Sequence, residues 1–200
     1  MENTVDWRVG LPELTSERVV LRELQLSDAT TLARELNAPE VKRFVWAPPP
    51  TATAFEQFIE WAHAERATGR YICYGVVPRG ESSAVGVFEL RQLQPRFLRG
   101  ELGFVLAARF WDRGIFAEGA QLLLDFAVDV VNVHRIEARA SIDNDRGNAA
   151  LKKLGAKLEG TLSEAFVRDD RFLDQYLWAI LARQWREIRT RERQRASADR

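Results

Sequence analysis

The chain has 200 residues, 46% of them hydrophobic, enough to bury roughly 70% of the surface an unfolded chain exposes and to build one core without metal or disulfide staples. Basic and acidic residues both number 29, so the formal net charge is zero and no global field draws the protein to nucleic acid or to an anionic membrane. The single cysteine, Cys73, excludes an internal disulfide framework, and with two histidines it is a poor inventory for structural zinc, so no metal is expected. The opening Met-Glu-Asn-Thr-Val-Asp lacks the basic and apolar regions of a signal peptide, and no apolar run approaches the roughly 20 residues that span a bilayer. These features predict a cytoplasmic protein with no membrane partner.

Residues Arg18 to Leu24 are β-branched and partly alternating, which predicts a strand, and Ser27-Asp28 offers N-caps for a helix to about Asn37. Ala47-Pro-Pro-Pro50 cannot continue a helix and marks a loop. Thr53-Ala-Phe-Glu56 reads as a capping box, and Phe55, Phe58, Ile59, Ala62 and Arg66 line one helical face until Gly69. On this reading His63 is a surface or boundary residue. Tyr71 to Val77, Ala84 to Leu90 and Gly100 to Leu106 then form an antiparallel meander. Gly114 to Val131 changes to helical period, Arg135 to Ala140 returns to strand, and Asn144 to Leu154 fits a helix closed by Gly155. Two last strands, about Lys157 to Phe166 and Phe172 to Leu181, flank a turn at Arg168-Asp-Asp-Arg171. The order predicts an α/β chain with a mixed sheet and helices packed on it, a single domain over residues 1–182. Residues 183–200 hold seven arginines against Glu187, Glu192 and Asp199, and read either as a nucleic-acid arm or as a solvated helix anchored by Leu181, Trp185 and Ile188.

The densest chemical signal is Gly100-Glu-Leu-Gly-Phe-Val-Leu106 followed by Arg109-Phe-Trp-Asp-Arg-Gly-Ile-Phe-Ala-Glu118, running into the long helix. A strand that feeds a glycine-bearing turn at a helix start leaves backbone N–H groups and a positive dipole end at one spot, which suits a pyrophosphate. The sequence has neither a Walker pattern nor a dinucleotide glycine fingerprint.

The element order and three segments together resemble the GNAT acyltransferases, and within them the RimJ/RimL branch that acetylates N-terminal amines of ribosomal proteins. The segments are Glu101-Leu-Gly-Phe-Val-Leu106, Trp111-Asp-Arg-Gly-Ile-Phe-Ala-Glu118, and the run from Val133-His-Arg-Ile-Glu-Ala-Arg139 through Asn144-Asp-Arg-Gly-Asn148 to Lys153-Leu-Gly-Ala-Lys-Leu-Glu-Gly160, with Asp174-Gln-Tyr176 later. The resemblance spans about Leu14 to Ala182 and implies a mostly antiparallel sheet with a splayed strand pair, binding of acetyl-CoA, and transfer of its acetyl group to a primary amine. It implies that backbone groups near Phe104, Val105 and Leu106 pair with the pantetheine arm. Trp111, Asp112, Arg113, Gly114, Phe116 and Ala117 belong to the turn that takes the pyrophosphate, and Asn144, with Asn148 one turn on, lines the cofactor arm. A homodimer is in keeping with the branch.

The chain departs from the pattern at Asp112 and Phe116, where the phosphate turn of the family usually carries a glycine and a small residue. A carboxylate several ångströms from a pyrophosphate is repelled by roughly 1 to 4 kcal/mol, so Asp112 is expected to point to solvent or to pair with Arg109 or Arg113, and Phe116 to turn its ring inward. Gly147 and Leu151 stand where relatives often carry a serine or a tyrosine, so no side-chain acid for the thiolate is evident; a thiol of pKa about 8.5 is already a fair leaving group. Glu101 is a candidate base for the acceptor ammonium, or else a rim carboxylate paired with Arg99 or the Arg135 strand. Glu118 reads as a first-turn helix residue, and Glu159, Glu164 and Asp174 as alternatives for amine recognition. Cys73 reads as a core thiol, and Phe44, Trp46 and Trp61 as core or as acceptor-pocket walls. Two other classes remain open: a non-catalytic acyl-CoA-binding protein and a nucleic-acid-binding module.

Overall fold

A computed structural model describes residues 6–45, 47–168 and 170–198, with the backbone alone at 192–193 and 195–198. They form an eight-stranded sheet in the order β1-β2-β3-β4-β5-β6-β8-β7 with six α-helices, where the sequence predicted a mixed sheet with helices packed on it. The chain divides into two compact units, the first running up to Gln92 and adding Leu102–Leu123, the second made of Leu93–Glu101 and the chain from Leu124 on.

The first unit holds β1 (Leu14–Thr15), β2 (Val19–Glu23), β3 (Tyr71–Pro78) and β4 (Gly86–Gln92), each antiparallel to the next. α1 (Ala29–Leu36), α2 (Pro39–Lys42) and α3 (Ala52–Ala67) lie between β2 and β3 in sequence. Every residue of β3 is buried, because its side chains alternate between two covered faces. Tyr71, Cys73 and Val77 point to the helical face, where they join Leu32, Leu36, Phe55 and Ile59 in one apolar cluster. Each such large side chain withdrawn from water contributes about 1.5–3 kcal/mol.

Two helix starts differ from the sequence expectation. α3 begins at Ala52 and its cap is Thr51, whose Oγ1 accepts from Ala54 N at 3.1 Å, so the capping box at Thr53 does not form; Thr51 takes the role because it follows the prolines that already hold the chain extended. Asp28 precedes α1 but does not cap it. Its carboxylate turns inward instead, accepting both guanidinium nitrogens of Arg22 at 2.8 Å, Gln25 N at 2.9 Å and Ala84 N at 2.8 Å, and so ties β2 to the start of β4.

In the second unit β5 (Arg99–Leu106) contributes its first residues, pairing in parallel with β6 (Arg135–Ser141) at Arg99↔Arg135, Gly100↔Ile136 and Glu101↔Glu137. β6 is antiparallel to β8 (Arg171–Leu181), which is antiparallel to β7 (Lys157–Arg168). The hairpin turn expected at 168–171 includes residue 169, which lies outside the described residues. α4 (Ile115–Asp129) ends in this unit, and α5 (Asp145–Lys153) follows β6.

The arginine-rich C-terminal segment forms α6 (Ala182–Ala198). Trp185 is 1% exposed and donates from Nε1 to Asp125 at 2.8 Å, while Arg189 bridges Asp125 and Asp129 at 2.8 and 2.6 Å. Ile188 packs at Gly155, where an added Cβ would stand 2.6 Å from its Cδ1. The segment is therefore a helix docked through Trp185 and Ile188, with Arg189, and Arg186 at 3.9 Å from Asp129, paired with acidic residues of α4. No described helix is long and apolar enough to cross a membrane.

Candidate active site

β5 pairs with β6 as far as Glu101, and its residues from Leu102 to Leu106 belong to the first unit. Along it Leu102 and Leu106 are buried on one face, while Glu101, Gly103 and Val105 are half-buried on the other. Phe104 shares the buried face, 4.7 Å from the ring of Phe116 and edge-on to Phe88 at 6.3 Å. Phe116 thus turns its ring into the core from the first turn of α4.

The turn between β5 and α4 is fixed by three contacts. Ala107 N donates to Val85 O at 2.9 Å, a single 3-10 turn follows at Ala108–Phe110, and Trp111 donates from Nε1 to Leu106 O at 2.8 Å while its ring packs on the helical-face cluster. Asp112 (φ 58°) and Gly114 (φ 77°) are both left-handed, one on each side of Arg113, and they redirect the chain into the helix. The first bond of α4 in this turn is Glu118 N to Gly114 O at 3.1 Å, so the N–H groups of Ile115, Phe116 and Ala117 precede the helical ladder at the positive end of a 15-residue helix. Asp112 and Arg113 are exposed, and Arg113 lies 5.8 Å from the Phe110 ring centroid.

Around this turn the charges are already paired in a way the sequence did not reveal. Arg109, one of the alternatives for Asp112, binds Glu81 at 2.8 Å and approaches Glu35 at 3.4 Å. Its guanidinium holds Glu81 below the usual carboxylate range. Glu118 accepts from Ser16 Oγ at 2.6 Å, from Arg18 N at 2.9 Å and from the Arg18 guanidinium. Burial would raise the Glu118 carboxyl, but these donors outweigh it and the net displacement is downward. Glu118 is therefore a clasp between α4 and the chain entering β2, more than the dipole-favoured residue the sequence suggested.

In the second unit Glu101 lies 3.6 Å from the Arg139 guanidinium. This is the expected pairing with the strand of Arg135; Arg135 itself binds Glu137 at 2.8 Å and Glu159 at 3.0 Å, and Arg99 approaches Glu137 at 3.6 Å. Strand alternation explains this, since Arg135 and Arg139 lie two residues to either side of Glu137 on one face of β6, and Arg139 is the one toward the strand's C-terminal end. Asn144 caps α5, accepting from Gly147 N at 2.9 Å. A Cβ at Gly147 would stand 2.5 Å from the Asn144 Nδ2, so glycine there leaves room for the cap. Asn148 donates to Ser141 O and accepts from Trp178 Nε1, both at 2.9 Å, which fixes its amide between β6 and β8. Leu151 is fully buried, Asp174 accepts from Glu164 N at 2.8 Å, and Tyr176 stands edge-on to Trp178 at 6.5 Å.

The remaining candidates divide. Cys73 is buried, and burial above all, with the Glu89 carboxylate adding to it, pushes its thiol up and keeps it neutral. Trp61, read as core or as pocket wall, is 48% exposed and rests on Phe58 and on Tyr71, at 5.9 and 4.9 Å between centroids; it is not core because α3 turns position 61 away from the face carrying Phe55, Ile59 and Ala62. Phe44 is half-buried under Arg43, and Trp46 lies outside the described residues. His63 bonds Leu24 O at 2.9 Å from a boundary position. The residue that sequence reasoning missed is Glu89, opposite Cys73 in the β3–β4 register and accepting from the Tyr71 hydroxyl. Cross-strand register was the signal needed to find it. Among the described residues no group of three or more His, Cys, Asp or Glu is arranged to hold a metal ion.

A model of the Acetyltransferase (GNAT) domain matches residues 18–157, from the entry to β2 through the strand, turn and helix just described to the start of β7. The chain belongs to the GNAT acetyltransferase family. Its GNAT relatives include the N-acetyltransferase p20 of Bacillus licheniformis, 25% identical over 173 residues that cover 86% of this chain and 97% of the relative. Spermidine N(1)-acetyltransferase of Escherichia coli K12 is 22% identical over 177 residues, covering 86% and 90%. Among solved structures, Mycobacterium smegmatis RimJ in complex with CoA-disulfide superposes with a TM-score of 0.76 at 24% identity, covering 86% of this chain and 87% of that one. The GNAT assignment makes the chain an acetyl-CoA-dependent acyltransferase acting on amino groups.

Proposed function

We propose that this GNAT enzyme moves the acetyl group of acetyl-CoA directly to a primary amine, either a protein N-terminus of the ribosomal-protein kind or a small amine such as a polyamine. The observation that carries the reading is the β5–α4 turn. Its left-handed pair Asp112 and Gly114 turns the chain into α4 so that the N–H groups of Ile115, Phe116 and Ala117 stand at the helix start, just after the exposed Arg113 in the chain. A pyrophosphate fits that donor set by charge and by hydrogen bonding. In this proposal Trp111 holds the turn, Asp112 stays in solvent, and the backbone of Phe104, Val105 and Leu106 pairs with the pantetheine arm. Asn144 and Asn148 line the arm as the family resemblance implies. Residues 1–182 act as one cytoplasmic catalytic domain, to which α6 is appended.

In the chemical step Glu101 takes a proton from the acceptor ammonium, directly or through water, and the free amine attacks the thioester carbonyl carbon. Backbone N–H groups near Val105 receive the developing oxyanion. The C–S bond breaks, and the thiolate leaves with the second nitrogen proton, relayed by water because Gly147 and Leu151 offer no hydroxyl. A free-thiol release assay with an alanine- or serine-starting ribosomal peptide and with spermidine tests the reading. Release dependent on one of these amines is expected; acetyl-CoA binding with no release from either would overturn the proposed acceptors.

A further inference from the structure

On the helical face of β3 and β4 the first unit carries a polar group that the steps above do not use. Tyr71 and Cys73 are both buried, and Glu89 is half-buried directly opposite Cys73. The Tyr71 hydroxyl donates to Glu89 Oε2. Burial, with Cys73 and Glu89 beside it, pushes the Tyr71 phenol far up, so it remains a donor throughout the physiological range. Its ring is held by Trp61, 4.9 Å away, so the hydroxyl cannot swing aside without moving an aromatic stack.

The head of Glu89 reaches β5 at one position. A Cβ at residue 103 would stand 2.4 Å from Glu89 Oε1 and 2.7 Å from its Cγ, so glycine at 103 is what admits the carboxylate to this strand. Gly103 lies between Glu101 and Val105 on the half-buried face of β5, next to the backbone assigned above to the pantetheine arm. A negative charge is thus brought to the strand along which the thioester would lie. A carboxylate in that setting, with its orientation fixed by a phenol, is suited to a primary ammonium: the pair is charge-assisted and gains strength where water is partly excluded.

We propose that Glu89 is the residue that receives the ammonium of the acceptor, with Tyr71 as its positioning residue. The assignment rests on the acetyltransferase reading of the preceding subsection and adds the residue that holds the ammonium.

Steady-state kinetics on the full chain at saturating acetyl-CoA, with spermidine and with an alanine-starting peptide, test it in Glu89→Gln and Tyr71→Phe. Glu89→Gln is expected to raise the acceptor KM about tenfold or more, the effect of losing a hydrogen bond to a charged group, while the acetyl-CoA Kd stays unchanged. Tyr71→Phe keeps the ring and removes only the hydroxyl, so it is expected to raise the acceptor KM severalfold with kcat little altered, and it decides the question if Glu89→Gln does not fold. A purely structural role would instead weaken acetyl-CoA binding and lower kcat in proportion to lost stability. Folded variants with an unchanged acceptor KM would overturn the inference while leaving the acetyltransferase reading intact. Absence of thiol release in the unaltered protein would instead fail that reading, and the inference with it.

Discussion

Gly114→Ala separates the backbone requirement of the phosphate turn from its packing. Gly114 holds φ at 77°, and a Cβ there would meet only the Arg18 side chain at 3.5 Å, an ordinary contact. The cost is therefore conformational, about 1–2 kcal/mol for an L-residue in the left-handed region, offset by about 0.4–1 kcal/mol because alanine narrows the unfolded ensemble. A net loss of about 1 kcal/mol follows. Gly80 supplies the control, with φ at 91° and nothing within 4 Å of its added Cβ. Urea unfolding of the two variants should show similar losses. Calorimetric titration with acetyl-CoA should not: relaxing residue 114 moves the N–H groups of Ile115, Phe116 and Ala117, and the loss of one charge-assisted bond weakens binding about tenfold or more. Equal acetyl-CoA affinity in Gly114→Ala and Gly80→Ala would refute the assignment of this turn to the pyrophosphate.

Three further substitutions probe the surrounding structure. Asp28→Asn leaves the half-buried Arg22 without its buried charge partner and is expected to cost about 3 kcal/mol in urea unfolding. Burial alone would raise the Asp28 carboxyl, but Arg22 and the N–H groups of Ala84 and Gln25 lower it on balance, so its contribution is full above the unfolded value of about 3.9 and fades as pH falls through the lower folded value. The acid loss of stability should therefore be shallower in Asp28→Asn than in the unaltered chain, and identical slopes would contradict the account. Trp111→Phe removes the Nε1 bond to Leu106 O, worth about 1 kcal/mol, and should weaken acetyl-CoA binding severalfold without moving the acceptor KM. Glu101→Gln should lower kcat/KM by about a hundredfold; a folded variant with an unchanged rate would place the base elsewhere.

The segments with strong local grammar were readable from the chain alone. The change from two-residue to helical period at Gly114, the glycine closing α5, and the order of strands and helices all declare themselves within a dozen residues. Local signals fail where two caps compete, as at Thr51 and Thr53, and where an element is too short to show a period, as in β1 and α2. They also fail where the partner is remote. Asp28 looked like a cap because Ala84 is 56 residues away, and Arg109 looked available because Glu35 and Glu81 lie on other elements. For the same reason Glu89 was invisible, since its meaning comes from Tyr71, Cys73 and the bare position at Gly103 on neighbouring strands. The departures at Phe116 and Gly147 acquire physical reasons only in three dimensions: one ring fills the core beneath the turn, and the other position leaves room for Asn144 to cap α5.

The central claim is that the β5–α4 turn holds acetyl-CoA by its pyrophosphate. Parallel calorimetric titrations of the unaltered protein with acetyl-CoA and with S-acetylpantetheine, which carries the thioester arm without the pyrophosphate, test it most directly. The account predicts binding of acetyl-CoA that is at least about tenfold tighter. Equal affinity for the two ligands, or no binding of acetyl-CoA, would contradict it.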